Sequence, residues 1–307
     1  MASIASIDTT TGPLVSVIVP CYNSERTIRR CLNSIINQQT SVSFDVTVVD
    51  SSSDQTPRIV QHEFPSVRLI HLATRTFAGA ARNVGVRATE APYCLMIDSD
   101  CVTNPDLIER MMARHRTGHY AAIGGSTANG TPRSLSGLIG YLAEFKEFMP
   151  EAPERVGATV PTANIAYRRE TLERFGMFDN RMFMAEDILL HWKMHTAGEC
   201  ILFDPAIEVT HLNRTGWREV LAYQIPLGRS SAMARRLGGL RGTFLLNHRV
   251  LIVLMPFVRT ARAAEWLARY DLKKFFLFLL IWPLYFLAMS FWSFGFFREA
   301  RQQTVSQ

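Results

Sequence analysis

Asp98-Ser99-Asp100 sets two carboxylates two residues apart, directly after the apolar run Tyr93-Cys94-Leu95-Met96-Ile97 and just before the helix-start signal Asn104-Pro105. Along an extended backbone, side chains at i and i+2 point the same way. Two like charges on one side of a strand end repel each other unless a cation or a donor-rich ligand lies between them. A hard divalent ion with oxygen ligands, gripping a diphosphate, would meet that need. The triplet is equally compatible with a solvated turn that caps the next helix, so the rest of the chain must decide.

A second acidic pair, Glu186-Asp187, follows Phe178-Asp179-Asn180 and opens an expected helix. The helix dipole alone favours carboxylates there, but neighbouring acids also shift each other's pKa, which suits a general base. Asp50 closes a strand and could accept hydrogen bonds from a base or ribose, or serve as a turn aspartate. Arg82 stands among the small residues of 77–85 and offers a fork for phosphate, or a surface salt bridge. His211 follows strand-like Ile207-Glu208-Val209-Thr210 and is either structural or a metal partner for Asp100. No Gly-x-Gly-x-x-Gly follows the first strand, and neither a Gly-Lys-Ser/Thr loop nor a Gly-x-Ser-x-Gly elbow occurs. Dinucleotide binding of the Rossmann type, a P-loop and Ser-His-Asp catalysis are therefore disfavoured.

The elements that must position these groups are legible as alternation. Strands are expected at 15–19 (ended by Pro20), 44–49, 67–72 and 93–97. Helices are expected after Ser24 and Thr56-Pro57, over 78–88, and after Asn104-Pro105. Near-continuous apolar strands joined by helices imply α/β architecture, a mostly parallel sheet covered on both faces. Ligands in such sheets bind beyond the carboxyl ends of strands. Polar groups stand at four such ends: Pro20-Cys21-Tyr22-Asn23, Asp50, the stretch after His71, and Asp98/Asp100. After Gly118 the alternation loosens. Residues 124–161, rich in Gly and Pro, suggest a mobile loop flanking a cleft, with a helix at 138–148. A strand at 159–167, a helix at 186–196 and a strand at 201–203 complete the expected globular part.

The C-terminus has a different character. Hydrophobic residues make up 48% of the 307-residue chain, charged ones 20%, and net charge is +6. From His211 onward there are 14 Lys or Arg against 4 Asp or Glu, whereas residues 1–210 carry 19 against 23. A basic excess confined to one end argues against a nucleic-acid partner and for a surface facing acidic lipid head groups. Residues 275–297 form an uncharged stretch of 23, flanked by Lys273, Lys274, Arg298 and Arg301. That is long enough to cross a hydrocarbon core, or to form a hydrophobic hairpin packed on the globular domain. Residues 244–258, interrupted by Asn247, His248 and Arg249, read as an interfacial segment. Five cysteines without metal or redox spacing fit a reducing compartment. Met1 to Pro13 has neither a basic start nor an apolar stretch, so no cleavable signal peptide is expected.

Taken in order, Val17-Ile18-Val19-Pro20-Cys21-Tyr22-Asn23, Val48-Val49-Asp50-Ser51-Ser52-Ser53-Asp54, Ala81-Arg82-Asn83-Val84-Gly85, Asp98-Ser99-Asp100, Thr162-Ala163-Asn164 with Arg168-Arg169 and Gly176-Met177-Phe178-Asp179, and Glu186-Asp187 resemble the family 2 inverting glycosyltransferases. The resemblance spans roughly residues 14–212 and implies the GT-A fold. It implies that Pro20, Tyr22, Asn23 and Asp50 hold the nucleotide of a nucleotide-sugar donor, with Arg82 near it and Asp98 on the ribose or metal. Asp100, with His211 less regular, would bind Mn²⁺ or Mg²⁺; Asp187 would be the catalytic base, supported by Glu186. Ser51 stands where many members have a second Asp. The absence of Gln-x-x-Arg-Trp argues against a processive synthase. The expected organisation is a disordered tail (1–13), a GT-A domain (14–240) and a basic, hydrophobic, membrane-associated helical region (241–307). The acceptor would be a membrane-linked glycan or a lipid, and the catalytic domain would lie on the cytoplasmic side. A polyprenyl-phosphate glycosyl synthase is the main alternative, with a nucleotidyltransferase and a non-catalytic membrane scaffold behind it.

Overall fold

A computed structural model describes residues 12–157 and 159–302. The expected disordered tail falls almost wholly outside the described residues.

The chain begins with β1 (Val15–Cys21), α1 (Ile28–Ile36), β2 (Phe44–Asp50), α2 (Thr56–Glu63), β3 (Arg68–His71), α3 (Ala78–Arg87) and β4 (Tyr93–Ile97). β1 pairs in parallel with β2 and β4, and β2 in parallel with β3. This is the expected alternation, and β1 runs two residues further, through Pro20. Period-two alternation divides the strands between two faces. Val15, Val17, Val19, Leu95 and Ile97 belong to one core with α1. Ile18, Cys94 and Met96 belong to the other with Val86 of α3. Both faces are covered, which is why these strands read as unbroken apolar runs.

The second half is mixed. β5 (Cys101–Thr103), α4 (Leu107–Thr117), β6 (Ala122–Asn129), α5 (Leu135–Phe145), β7 (Arg155–Gly157), β8 (Asn164–Arg168), α6 (Arg169–Arg174), α7 (Glu186–Thr196) and β9 (Ile201–His211) follow. The strand order is β3-β2-β1-β4-β8-β6-β9-β5, with β7 on β9. β8 runs antiparallel to β4 and β6, while β6 and β9 are parallel.

Residues 124–161 are not a single mobile loop. Their first six residues complete β6, whose 122–127 are buried. The glycines that suggested a loop are there for close packing. A Cβ at Gly124 would lie 2.2 Å from Val160 Cγ1, and one at Gly125 only 1.7 Å from the Ile207 carbonyl. The register of β6 on β9 shifts just after Gly125, a bulge that needs this side-chain-free approach. The expected strand at 159–167 starts later, at Asn164. The short strand expected at 201–203 is the beginning of the eleven-residue β9.

The C-terminal helices are α8 (Trp217–Gly238), α9 (Phe244–Asn247), α10 (Met255–Tyr270) and α11 (Leu272–Arg301), with a 3-10 turn at Arg249–Leu254. α11 does not stand apart from the globular part. Phe278, Ile281, Tyr285, Ala288 and Met289 enter the same core as β1 and β4, and Trp292 and Phe296 pack with Ala232 of α8. Where α8 and α11 cross, Gly228 and Gly295 let backbones touch. A Cβ at Gly228 would sit 1.9 Å from the Trp292 carbonyl, and one at Gly295 2.0 Å from that of Ile225. The opposite face of α11 is bare: Phe276 is 65% and Leu280 79% exposed.

Candidate active site

Because β1, β2 and β4 run parallel, their carboxyl ends meet at one edge, and the polar groups expected there do gather. Pro20, Tyr22, Asn23, Arg82, Asp98, Asp100 and His211 line one open cleft of about 630 Å³, and Arg82, Asp98, Glu186 and Asp187 line an adjoining cavity of about 440 Å³. The partition that both share includes Arg82 and Asp98, with Glu144 and Tyr223 among the other residues lining both.

Arg82 explains the partition. It leaves α3 at its second turn and is 2% exposed. Its Nη2 donates to Asp98 Oδ1 at 2.5 Å, and its Nη1 to Glu186 Oε1. Of the two expected roles, the ion pairs are therefore buried rather than superficial. α3 can lie this close to α7 because Gly79 has no side chain; a Cβ there would stand 2.7 Å from Glu186 Cγ. The neighbouring Asn83 pins the loop leading to α7, donating to the Phe178 carbonyl at 2.7 Å and accepting from Phe178 N at 3.1 Å.

Asp187 begins α7 behind Ala185, whose φ of 57° is left-handed. Its carboxylate accepts from Ile188 N at 2.8 Å and Thr162 N at 3.3 Å. Burial, and then the negative charge of Glu186, push the Asp187 carboxyl up to about 7 against the pull of Arg82. A carboxylate that titrates near neutrality and lines a cavity is a competent proton acceptor.

Asp100 and His211 meet across the β5–β9 pair, which sets Cys101 opposite His211. His211 Nε2 lies 3.3 Å from Asp100 Oδ1. On its other side, Nδ1 lies 2.9 Å from Asn213 Oδ1. The Asn213 amide donates to Asn129 Oδ1 at 2.8 Å and Thr131 Oγ1 at 3.1 Å, which turns its oxygen toward the ring. That network assigns a proton to Nδ1 and leaves Nε2, the atom nearest Asp100, as the one a metal would take. Asp100, Cys101 and His211 have ligand atoms within 4.8 Å of one another, and an oxygen–nitrogen donor pair suits a divalent cation. Burial pushes the Cys101 thiol far up, in keeping with a core residue.

Asp50 is placed differently from its neighbours. It is fully buried and lines neither space. Its carboxylate accepts from Ser52 Oγ at 2.5 Å and contacts His71 Nδ1 at 2.7 Å. Tyr22 is 41% exposed on the cleft, with the Arg75 guanidinium 4.4 Å over its ring. Ser52 Oγ accepts from Asn23 N at 2.7 Å, and Asn23 has a φ of 52°.

Sequence reasoning missed Asn213, Arg75, Asn83 and Glu144. The His-x-Asn spacing of 211–213 was a usable signal, since i and i+2 share a side of an extended chain. Arg75 and Glu144 had none, because each reaches the cleft from an element whose path is set by tertiary packing.

A mixed sheet with acids gathered at its parallel strand ends and a further acid pair opening a helix beside them defines a GT-A transferase. The same fold is seen in the mannosyltransferase PcManGT from Pyrobaculum calidifontis, solved with GDP-Man and Mn²⁺ (TM-score 0.63, 19% identity, 96% of this chain and 88% of that one). It is seen again in Staphylococcus aureus TarS 1–349 with UDP-GlcNAc (TM-score 0.54, 20% identity, 95% and 92%). The chain belongs to glycosyl transferase family 2, whose model matches residues 16–176, just over half its length. It is 25% identical to glycosyltransferase AglE of Haloferax volcanii over 257 residues, 81% of this chain and 83% of that protein. Against several further relatives it spans less than half of their length.

Proposed function

We propose that this glycosyltransferase moves a sugar from a nucleoside-diphosphate sugar to an acceptor hydroxyl with inversion at the anomeric carbon. The observation that carries the proposal is the pair of adjoining spaces divided by Arg82 and Asp98: one has the Asp100–His211 donor set, the other a carboxyl poised near neutrality. In this reading the donor occupies the larger cleft, its base against Tyr22 and the Pro20–Asn23 turn and its ribose near Asp98. Asp50 acts through Ser52 and His71, holding that turn in place. Asp100 and His211 would hold Mn²⁺ or Mg²⁺, which when bound offsets the charge of the departing diphosphate. Asp187 accepts the proton of the acceptor hydroxyl while the hydroxyl oxygen bonds to the anomeric carbon and the carbon–oxygen bond to the diphosphate breaks. The Ile188 and Thr162 N–H groups keep Asp187 oriented, and Arg82 holds Glu186 beside it.

The acceptor enters from the smaller cavity, which the C-terminal helices close. We assign it to a glycan or lipid at a membrane, on the cytoplasmic side. The support is the bare apolar face of α11 and the exposed Val250, Val253 and Phe257 (80%, 69% and 61%) before and within α10, beside the basic excess of this region. α11 is the one described helix long and apolar enough to span, but its inner face is committed to the protein core, so shallow embedding fits better than crossing. Binding to vesicles with anionic lipid, and its absence with neutral lipid at physiological salt, tests the membrane assignment.

The catalytic assignment is tested by Asp187→Asn. Turnover, read as release of nucleoside diphosphate from UDP-, GDP- and dTDP-sugars with Mn²⁺, should fall by at least 10²-fold, in line with the loss of a general base, while donor binding persists. An Asn variant that turns over normally would instead favour phosphate as the attacking group, as in a polyprenyl-phosphate glycosyl synthase.

A further inference from the structure

The seam between α8, α10 and α11 holds more positive charge than it neutralises. Arg229, Arg235 and Arg236 come from α8 and Arg259 from α10. The one carboxylate among them is Glu299, which takes Arg236 at 2.9 Å and Arg229 at 3.4 Å. Neither Arg235 nor Arg259 has a carboxylate within ion-pair distance among the described residues. Arg235 donates to Ser231 Oγ at 2.6 Å and Ser231 O at 2.8 Å. Arg259 donates its Nε to the sulfur of Met289 at 3.0 Å and stacks 4.1 Å over Trp292. Glu147, the other acid near it, is half-exposed and already pairs with Lys146 at 3.3 Å.

Donors in this seam also lack partners. Gln224 Nε2, the Nε atoms of Arg229, Arg235 and Arg236, and the hydroxyls of Ser230 and Ser293 are buried without a hydrogen bond in the structure. Gln224 is 1% exposed and lines the cavity of Asp187, together with Ser231, Arg259 and Trp292. A buried donor without a partner is costly, and an anion in this cavity would meet Gln224 Nε2 and the half-buried Arg259 together. Burial, and then Arg259, lower Arg235 to about 10, and burial lowers Arg259 as well, against Tyr285 and Glu147. Phe257 and Val258 of the same helix are 61% and 44% exposed; residues one and two apart leave a helix in different directions, so this apolar surface flanks the cavity mouth without facing Arg259 itself.

We infer that the arm of the cavity at Gln224, Ser231 and Arg259 binds the phosphate or diphosphate of an amphiphilic acceptor, whose hydrocarbon chain lies on the apolar surface of α10 and α11. The inference rests on the cavity of Asp187 being the acceptor's, and it names the acceptor's class. The guanidinium of Arg259, pre-set on Trp292, offers a fork for phosphate oxygens. The sugar-accepting hydroxyl then lies toward Asp187, away from the anion.

The test is direct binding to the full chain in EDTA, with farnesyl diphosphate as probe and farnesol and inorganic diphosphate as comparisons. Farnesyl diphosphate should bind at least tenfold more tightly than farnesol, and saturating UDP or GDP should not displace it. Arg259→Gln should weaken it at least tenfold and Arg259→Lys by less, with melting temperatures verifying the fold. The farnesol comparison on the unaltered protein keeps the test decisive if a variant does not fold. Inorganic diphosphate binding as tightly as farnesyl diphosphate would assign the arm to a free phosphate compound and overturn the lipid assignment. Equal binding of farnesol, displacement by UDP or GDP, or an indifferent Arg259→Gln would overturn the anion site, and each would leave the donor cleft and the role of Asp187 untouched.

Discussion

Asp187→Asn should make the protein inactive and, at alkaline pH, more stable. The Asp187 carboxyl is raised from 3.8 to about 7. Between those values the folded protein holds a proton that the unfolded chain has lost, so folding weakens as pH rises through the window and the loss is complete above about 7. At 1.36 kcal/mol per unit, the ionised carboxylate costs the fold on the order of 4 kcal/mol at pH 8. Asparagine removes that charge. It keeps one oxygen for Ile188 N but turns an amide toward the Thr162 N–H, which Asp187 accepts at 3.3 Å. Leaving that donor unpaired costs about 1 kcal/mol. The net gain at pH 8 is then roughly 3 kcal/mol, or about 6 °C in melting temperature at roughly 2 °C per kcal/mol for a chain of this size. Near pH 4 both forms are uncharged here, and the variant should be equal or slightly less stable. Melting curves of both proteins from pH 4 to 9, without metal, check this. A difference that does not change with pH would refute the claim that this carboxyl is raised in the folded protein. For the wild type, turnover should rise through about pH 7, because the base acts only when ionised.

Asn213→Ala should reduce metal affinity by about 10- to 100-fold without removing a ligand, because it frees the His211 ring that Asn213 orients; Mn²⁺ titration of donor binding reads it, and an unchanged midpoint would refute the role. Asp100→Ala should abolish the dependence of donor binding on Mn²⁺, measured by calorimetry with and without the ion. Gly79→Ala forces Glu186 away from a Cβ at 2.7 Å and should cost roughly 1–3 kcal/mol as overpacking, with a larger fall in turnover than in donor binding. Gly295→Ala meets backbone rather than a movable side chain, 2.0 Å from the Ile225 carbonyl. It should lower the melting temperature and separate α11 from α8, read as faster hydrogen exchange in both helices.

The parallel half of the sheet was legible because each of its strands is buried on both faces and ends in a polar group, so pattern and topology agree. The helix at 186–196 was legible to the residue. β6 was not, because Gly124 and Gly125 have the composition of a loop while serving close approach, and a single sequence does not distinguish the two uses of glycine. Of the site residues, those at parallel strand ends came together because the fold requires it: Tyr22, Asn23, Asp98 and Asp100 share one edge. Asp50 stands at an equivalent end yet turns inward to Ser52 and His71, a choice made by side-chain packing that spacing does not encode. Arg82 lines the cleft, but its two carboxylate partners are Asp98 and Glu186, 16 and 104 residues away, and such a pairing has no local signature.

The C-terminal helices matter to the chemistry because they form part of its wall. Tyr223, Gln224, Leu227 and Ser231 of α8, Arg259 of α10 and Trp292 of α11 line the cavity that Asp187 lines. α11 meets α8 at the close Gly228–Gly295 crossing, and its outer face is apolar. A force that moves α11, such as burial of Phe276 and Leu280 in lipid, therefore acts on the same helix pair that shapes the acceptor side. The larger cleft, built mainly from the parallel strand ends, shares only Glu219 and Tyr223 of α8 with that helix pair and takes no residue from α10 or α11, so it should respond less. On the proposed reading, membrane attachment is thus expected to change the acceptor's KM more than donor affinity, a split measurable by comparing the enzyme in detergent with the enzyme on anionic vesicles. Equal changes in both would mean that the two halves of the site are not mechanically separate.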